Sequence, residues 1–401
     1  MSEIILIQVT GEDAPGLTAA LMPILSDHDV SVLDIGQAVI HRMLTLGILI
    51  EIPKRKVRAP VLKDLLFHLH GRGLQVRFTP ITADEYAHWV GRGGKAYFSI
   101  SLLGRVITAD HIARVAAVVS ANNLNIDRIT RLSRRAHPQT RRRTCIELSV
   151  RGEATDTGEM HRAFLEISRK VGIDIAFQKD DLFRRYRRLV VFDMDSTLIQ
   201  QEVIDELAAV AGVGKQVAAI TAAAMRGEVD FKQSLQQRLR LLAGLDAAVL
   251  PEIAARLRFT EGLERLFTHL KVLGLKTAIV SGGFAYFAQH LQQRLGMDYA
   301  FANDLEIVDG KLTGRVRGEI IDGERKAQLL ETIARQENIR LEQVIAVGDG
   351  ANDLPMLRMS GLGIAFHAKP TVREGARQSI SSLGLDSILY LIGVRDHDAL
   401  D

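Results

Sequence analysis

Four short apolar runs in the second half of the chain, Leu189–Phe192, Thr277–Val280, Val344–Val347 and Leu362–Phe366, each end in polar or glycine-rich residues and are separated by helix-like sequence. Runs that are apolar throughout suit strands of a parallel sheet covered on both faces, so this half is expected to be α/β. Between the first two runs, from Gln201 to about Leu257, apolar residues (Val203, Leu207, Val210; Leu235, Leu239, Leu242) recur at helical spacing with no strand among them. That stretch reads as an inserted helical cap. Leu305–Val308 and Lys311–Val316 flank Asp309-Gly310, a strong turn signal, and predict a small β-hairpin hanging off the sheet.

The first part of the chain follows another pattern. Ile4–Val9, Gly16–Ser26, Val30–Ile40, Thr45–Ile52, Ala59–Arg72 and Leu74–Phe78 read as βαββαβ. The same order returns at Tyr97–Leu102, Ala109–Ala121, Leu124–Leu132, Thr144–Val150, Thr157–Val171 and Ile173–Phe177, which reads as an internal duplication. Ala83–Lys95, with Gly91, Gly93 and Gly94, reads as a linker, and the charged run Gln178–Arg188 marks a second boundary. The expected domains are residues 1–82, 95–178 and 185–401, the last with its cap at about 201–260.

The 51 Lys+Arg against 48 Asp+Glu leave +3, which implies no nucleic-acid partner. A single cysteine, Cys145, excludes an internal disulfide. No apolar stretch approaches the roughly 20 residues that span a bilayer, so no membrane partner is implied. Met1-Ser2-Glu3 opens without a basic leader, and the chain reads as soluble and cytoplasmic.

Ligands of open parallel sheets bind at the carboxyl ends of the strands. There the sequence places Asp193-Met194-Asp195-Ser196-Thr197, Ser281-Gly282-Gly283 and Gly348-Asp349-Gly350-Ala351-Asn352-Asp353. Four carboxylates in one crevice call for a cation, and oxygen-only ligands favour a hard one such as Mg²⁺. Lys326, ahead of the third strand, adds a positive charge. A carboxylate can attack phosphorus to give an aspartyl-phosphate when a divalent ion and a lysine neutralise the phosphoryl oxygens, with a second carboxylate two residues on as general acid and then base. Both of the Asp193/Asp195 pair face the crevice only if the chain turns between them.

In these motifs this half resembles haloacid-dehalogenase-type phosphatases, through Asp193-x-Asp195-x-Thr197, Ser281, Lys326 and Asp349 with Asp353. Within that superfamily VVFDMDSTLIQQE, SGGF and AVGDGANDLPML are most similar to the phosphoserine phosphatases. The resemblance implies a Rossmann-like sheet with a helical cap and hydrolysis of O-phospho-L-serine to L-serine and phosphate, the last step of serine biosynthesis. It makes Asp193 the nucleophile and Asp195 the general acid/base. Mg²⁺ is then held by Asp193, the Asp195 main-chain carbonyl and Asp349, with Asp353 in support. It gives the phosphoryl group to Ser281, Gly282 and Lys326, with Asn352 beside it. Glu202 and Arg238 take the ammonium and carboxylate of the substrate, and Met225 and Phe231 line its pocket.

The two N-terminal repeats resemble ACT domains, ferredoxin-like α+β modules that bind amino acids and pair edge to edge, which implies a homodimer. In the first, Gly11-x-Asp13-x-Pro15-Gly16-Leu17 matches the family's ligand turn, where Gly16 would allow close approach of an effector such as L-serine. The second has Gly104-Arg105-Val106-Ile107-Thr108 there, without the Asp-x-Pro-Gly, which weakens the expectation for Gly104. Arg131, Arg134, Arg135, Arg141, Arg142 and Arg143 form a basic cluster with no acidic residue among them, read as a solvated hairpin. Two other functions stay open at this point: phosphotransfer to a small hydroxyl acceptor such as homoserine, and amino-acid sensing without turnover.

Overall fold

A computed structural model of the chain describes residues 2–53, 58–91, 96–135 and 143–398. The chain forms two compact units, residues 1–95 and 96–401. The first unit contains β1 (Glu3–Glu12), α1 (Leu17–Asp27), β2 (Ser31–Ile40), β3 (Met43–Ile52), α2 (Arg58–His70) and β4 (Gln75–Ile81), with sheet order β2-β3-β1-β4. Alternate residues Ile5, Ile7 and Val9 of β1 and Leu44 to Ile52 of β3 pack on Leu17, Leu21 and Leu25 of α1 and Val61, Leu65 and Leu69 of α2. The expected linker is partly helical: α3 (Ala83–Gly91) starts where Thr82 and Glu85 bond each other's main chain and side chain. Local capping chemistry outweighs the glycines that follow it.

The second unit begins with β5 (Tyr97–Gly104), α4 (Ala109–Ala121), β6 (Asn125–Arg131), β7 (Thr144–Arg151), α5 (Thr157–Val171) and β8 (Asp174–Lys179) in the sheet order β6-β7-β5-β8. This is the topology of the first module. One face of its sheet covers its own helices through Ile100, Leu102, Leu148 and Val150. Leu103, Leu132, Cys145 and Ala176 point the other way, into the core of the α/β half. The charged boundary is folded into this joint: in α6 (Leu182–Arg185), Arg184 is buried against Glu147 and Asp180.

The basic cluster is corrected likewise. Arg143 pairs with Asp386 and lies 3.9 Å from Asp396, while Arg131 Nε donates to the Ser133 carbonyl at 3.2 Å. Carboxylates distant in sequence dock Arg143 instead of solvent; Arg141 and Arg142 lie outside the described residues.

The α/β half carries a seven-stranded sheet in the order β12-β11-β10-β9-β13-β14-β15. Its elements are β9 (Leu189–Phe192), the cap helices α7 (Val203–Val210), α8 (Gly214–Met225), α9 (Phe231–Arg240) and α10 (Val249–Arg256), then α11 (Leu263–Val272), β10 (Lys276–Phe284), α12 (Ala285–Leu295), β11 (Tyr299–Val308), β12 (Lys311–Arg317), α13 (Gly323–Gln336), β13 (Val344–Gly348), α14 (Leu354–Met359), β14 (Leu362–Phe366), α15 (Pro370–Gly375), β15 (Gln378–Ile380) and α16 (Ile388–Leu391). β9 pairs in parallel with β10 and β13, setting Phe192 level with Ile279 and Val347. Val190 and Phe192 face one core cluster and Leu189 and Val191 the other, which explains the unbroken apolar run.

The Asp309-Gly310 turn forms with φ of 51° and 73°. Its strand does not hang free but is the sheet's edge, and the hairpin takes main-chain bonds from the cap: Gly244 N–H to Leu312 O at 2.8 Å and Ala247 N–H to Gly310 O at 2.8 Å.

Candidate active site

The carboxyl ends of β10, β9 and β13 lie side by side, so Ser281, Asp193 and Asp349 come from adjacent strands. Asp193 is tied to the neighbouring strand by its N–H, which donates to Val347 O at 2.9 Å. The chain then turns: Asp195 is extended (φ −66°, ψ 138°) and Ser196 is left-handed at φ 55°. That break in the strand's alternation lets both aspartates reach the crevice.

Carboxylate oxygens of Asp193, Asp349 and Asp353 all lie within 4.8 Å of one another. Lys326, in the first turn of α13, donates from Nζ to Asp193 Oδ1 at 2.7 Å and to Asp353 Oδ1 at 2.6 Å, and is fully buried. Asp322 caps that helix by accepting from Arg325 N–H at 2.9 Å, which sets the turn that aims Lys326. Burial alone would depress the lysine, but its two carboxylate partners hold it above the ordinary range. Asp353 also accepts from Gly350 N–H at 2.9 Å, and Thr197 Oγ1 donates to Asp349 Oδ1 at 3.2 Å.

One ammonium does not neutralise this cluster. Burial, then the charge of Asp193, push Asp349 up to about 8 and Asp353 up to about 6. Excess negative charge on oxygen-only donors fits a hard divalent cation. Among the described residues it is the one group of acidic, His or Cys side chains arranged to hold a metal.

Asp195 lies apart from that trio. Its Oδ1 accepts from Val203 N–H at 3.1 Å at the start of the cap. Burial, then Glu202 and Asp193, push its carboxyl well above the usual range. Glu202 is exposed and accepts from Ser196 Oγ at 2.7 Å; the protein mass around it, despite its access to solvent, raises its carboxyl too. Arg238 on α9 is half-buried, its basicity lowered by burial and restored in part by Glu202 and Asp205. A forked cation on α9 and an anion at the start of the cap thus lie near enough for each to feel the other's charge.

Phe231, also on α9, reaches the turn of β10: a Cβ placed on Gly282 would lie 2.9 Å from its Cζ. Ser281 is buried and Asn352 half-buried beside Asp353. Met225 departs from the expected pocket wall. It is 66% exposed at the end of α8, with its sulphur 3.0 Å from Lys369 Nζ, so it stands at the rim where cap and core meet.

The proposed effector positions differ in kind. Gly16 sits at the N-cap of α1 with φ 86° and nothing within 4 Å of a Cβ, so the turn requires glycine for its conformation and not for close approach. Asp13 N–H donates to Arg42 O at 2.8 Å, with its side chain exposed. Gly104 is a packing position: a Cβ would meet Ile173 Cγ2 at 3.1 Å and Ile107 Cδ1 at 3.5 Å.

Sequence reasoning missed Asn303, which donates to Gly282 O at 2.8 Å. Its one signal is an amide inside the strand-like run YAFANDLEIV.

ACT domain models match residues 3–79 and 97–178, and a haloacid dehalogenase-like hydrolase model matches 187–361. The phosphoserine phosphatase of Streptomyces coelicolor is 43% identical over 390 residues, 97% of this chain and 92% of that protein. The phosphoserine phosphatase of Mycobacterium tuberculosis is 43% identical over 396 residues, 97% and 93% of the two chains. Among solved structures, a HAD family hydrolase of Salmonella enterica superposes with a TM-score of 0.62 at 35% identity, covering 74% of this chain and 99% of that one. Carboxylates, lysine and capped crevice on one side, and near full-length similarity on the other, place the chain in the phosphoserine phosphatase family of haloacid dehalogenase-like hydrolases, with two ACT domains at its N-terminal end.

Proposed function

We propose that the chain is a cytoplasmic, Mg²⁺-dependent phosphatase that hydrolyses O-phospho-L-serine to L-serine and phosphate through an aspartyl-phosphate on Asp193. One observation carries the reading: the Asp195 carboxyl, pushed up by burial, stands two residues from Asp193, whose own carboxylate is held by buried Lys326.

In the first half-reaction an Asp193 oxygen bonds phosphorus as the bond to the serine oxygen breaks, and Asp195 gives that oxygen its proton. In the second, Asp195 takes a proton from water as the water oxygen bonds phosphorus and the acyl-phosphate bond breaks. Phosphate leaves and Asp193 is restored. Lys326, Ser281 and the Gly282 main chain hold the phosphoryl oxygens, with Asn352 beside them. Mg²⁺ would be held by Asp193, the Asp195 carbonyl and Asp349, with Asp353 in support, and would supply the remaining neutralisation. Glu202 takes the substrate ammonium and Arg238 its carboxylate, while Phe231 and, from the rim, Met225 bound the pocket.

We assign residues 1–82 and 95–178 to the ACT modules and 185–401 to the phosphatase. The first module is the better effector candidate, since Ile173 and Ile107 fill the space beside Gly104. Its edge strand β2 exposes Val32, Ile35, Val39 and Ile40, which favours pairing with a second copy. Phosphate release from phosphoserine with and without Mg²⁺, and with Asp193→Asn, tests the activity. No release from wild-type protein, or full activity in the variant, overturns it.

A further inference from the structure

The phosphate-facing turn interrupts the sheet. Val280 pairs with Phe301 and Phe284 with Asn303, so Ser281, Gly282 and Gly283 stand opposite Ala302 alone. Three residues against one leave main-chain groups without ladder partners, and buried groups of that kind must find others. Asn303, 2% exposed, supplies one. Its Nδ2 donates to Gly282 O at 2.8 Å, and its Oδ1 accepts from Ile321 N–H at 2.9 Å. A carbonyl on one side and an N–H on the other admit only this orientation of the amide.

The consequence reaches Ser281. In a trans peptide the C=O and the following N–H point in opposite directions. With Gly282 C=O drawn to Asn303, the Gly283 N–H is turned away from it, and it donates to Ser281 Oγ at 2.9 Å. A hydroxyl has one proton and two lone pairs. Once Gly283 occupies a lone pair, the Ser281 proton is left to aim elsewhere.

The other end of the amide acts on the second phosphoryl ligand. Ile321 directly precedes Asp322, the N-cap of α13, whose first turn carries Lys326. One buried side chain therefore ties the Ser281 turn to the start of the lysine helix. The turn is also wedged from the cap side, because a Cβ on Gly282 would lie 2.9 Å from Phe231 Cζ and 3.5 Å from Ile321 O.

We propose that Asn303 is a positioning residue for phosphoryl transfer: it sets the Gly282–Gly283 peptide so that Ser281 is held as an acceptor and presents its hydroxyl proton to the phosphoryl oxygen. The proposal rests on the reading above that Ser281 contacts the phosphoryl group. Asn303 touches neither substrate nor reacting atoms; it acts through Ser281.

Asn303→Asp keeps size and the acceptor for Ile321, and in its ionised form, assayed at the alkaline end of the activity range, presents no donor to Gly282 O. Loss of one transition-state hydrogen bond costs about 100- to 1000-fold in kcat, so its misdirection is expected to cost about 10- to 100-fold. KM for phosphoserine should move less than about threefold, since Glu202 and Arg238 are untouched. The diagnostic is a double-mutant cycle with Ser281→Ala: in that background Asn303→Asp should cost less than about threefold. Circular dichroism and Tm establish that each variant is folded, and Asn303→Ala carries the same cycle if the charged variant does not fold. Equal losses in both backgrounds, a wild-type kcat, or a loss confined to KM overturn the proposal. Running the cycle on p-nitrophenyl phosphate as well separates the two readings. Wild-type protein active on that ester but inert toward phosphoserine overturns the substrate assignment and leaves the relay measured. Additive losses on both esters overturn the relay alone.

Discussion

Gln378 grips the main chain of Phe177 with both ends of its side-chain amide, donating from Nε2 to Phe177 O at 2.6 Å and accepting at Oε1 from Phe177 N–H at 3.0 Å. Phe177 lies on β8, an edge of the second module's sheet, and Gln378 opens β15, an edge of the large sheet. A side chain thus does what a neighbouring strand would, and two exposed edges cover each other.

Gln378→Ala leaves two buried main-chain groups unpaired, at about 1–3 kcal/mol each. The expected loss is about 2–6 kcal/mol, read as a lower urea midpoint by circular dichroism. Because Leu103, Cys145 and Ala176 also belong to the α/β core, the second module should unfold together with that half. An unchanged midpoint, or hydrogen exchange showing the module opening alone in wild-type protein, contradicts this.

Two aspartates at the same joint respond to pH with opposite signs. Partial burial would raise Asp396, but bonds from Arg134 N–H, Tyr390 and Arg265 hold it below the ordinary value. Its contribution is therefore full above the unfolded value and is lost as pH falls through the folded one. Asp174 is raised by burial, although Ser381 N–H donates to it at 2.7 Å. Its contribution is full below the unfolded value and is lost as pH rises through the folded one. Asp174→Asn, which keeps an acceptor, should raise Tm near pH 7.5 and not near pH 4, while Asp396→Asn should lower Tm near neutrality and converge with wild type in acid. Thermal melts across pH decide both.

The carboxylate cluster predicts a third dependence. With Asp349 pushed up to about 8 and Asp353 up to about 6, the cation-free protein binds more protons folded than unfolded. Its stability should fall as pH rises from about 5 to above 8, and added Mg²⁺ should raise Tm more at the alkaline end. Asp349→Asn should flatten the slope and abolish most of the Mg²⁺ effect. A cation-free Tm independent of pH over that range contradicts this.

Legibility followed distance along the chain. Asp193, Asp349 and Asp353 could be read because strand-end position is a local property and the sheet does the rest. Asn303 could not: its role depends on a register break between two strands, and asparagine in a strand looks like a turn residue. Arg143 looked solvated because its partners, Asp386 and Asp396, stand at the far end of the sequence. α3 was hidden behind glycines that follow its capping residues. Met225 kept its place in the cap, but its exposure is set by how the cap packs on the core, which no spacing records.

Gly283 carries the last prediction. A Cβ there would lie 2.5 Å from Asp195 Oδ2, 2.7 Å from Met194 Cε and 3.2 Å from Ser281 Oγ. Asp195 cannot simply yield, because its other oxygen accepts from Val203 N–H at 3.1 Å. Met194 is fully buried in the core cluster behind it. Gly283→Ala should therefore cost about 1–3 kcal/mol in stability by overpacking, while displacing the acid that protonates the leaving oxygen. Activity should fall more than about 100-fold, out of proportion to the stability loss. Because a phenolate leaves without much protonation, p-nitrophenyl phosphate should suffer far less than phosphoserine. Equal losses on both esters would place the damage at Ser281 instead of Asp195, and activity within threefold of wild type would mean that the acid does not depend on this contact.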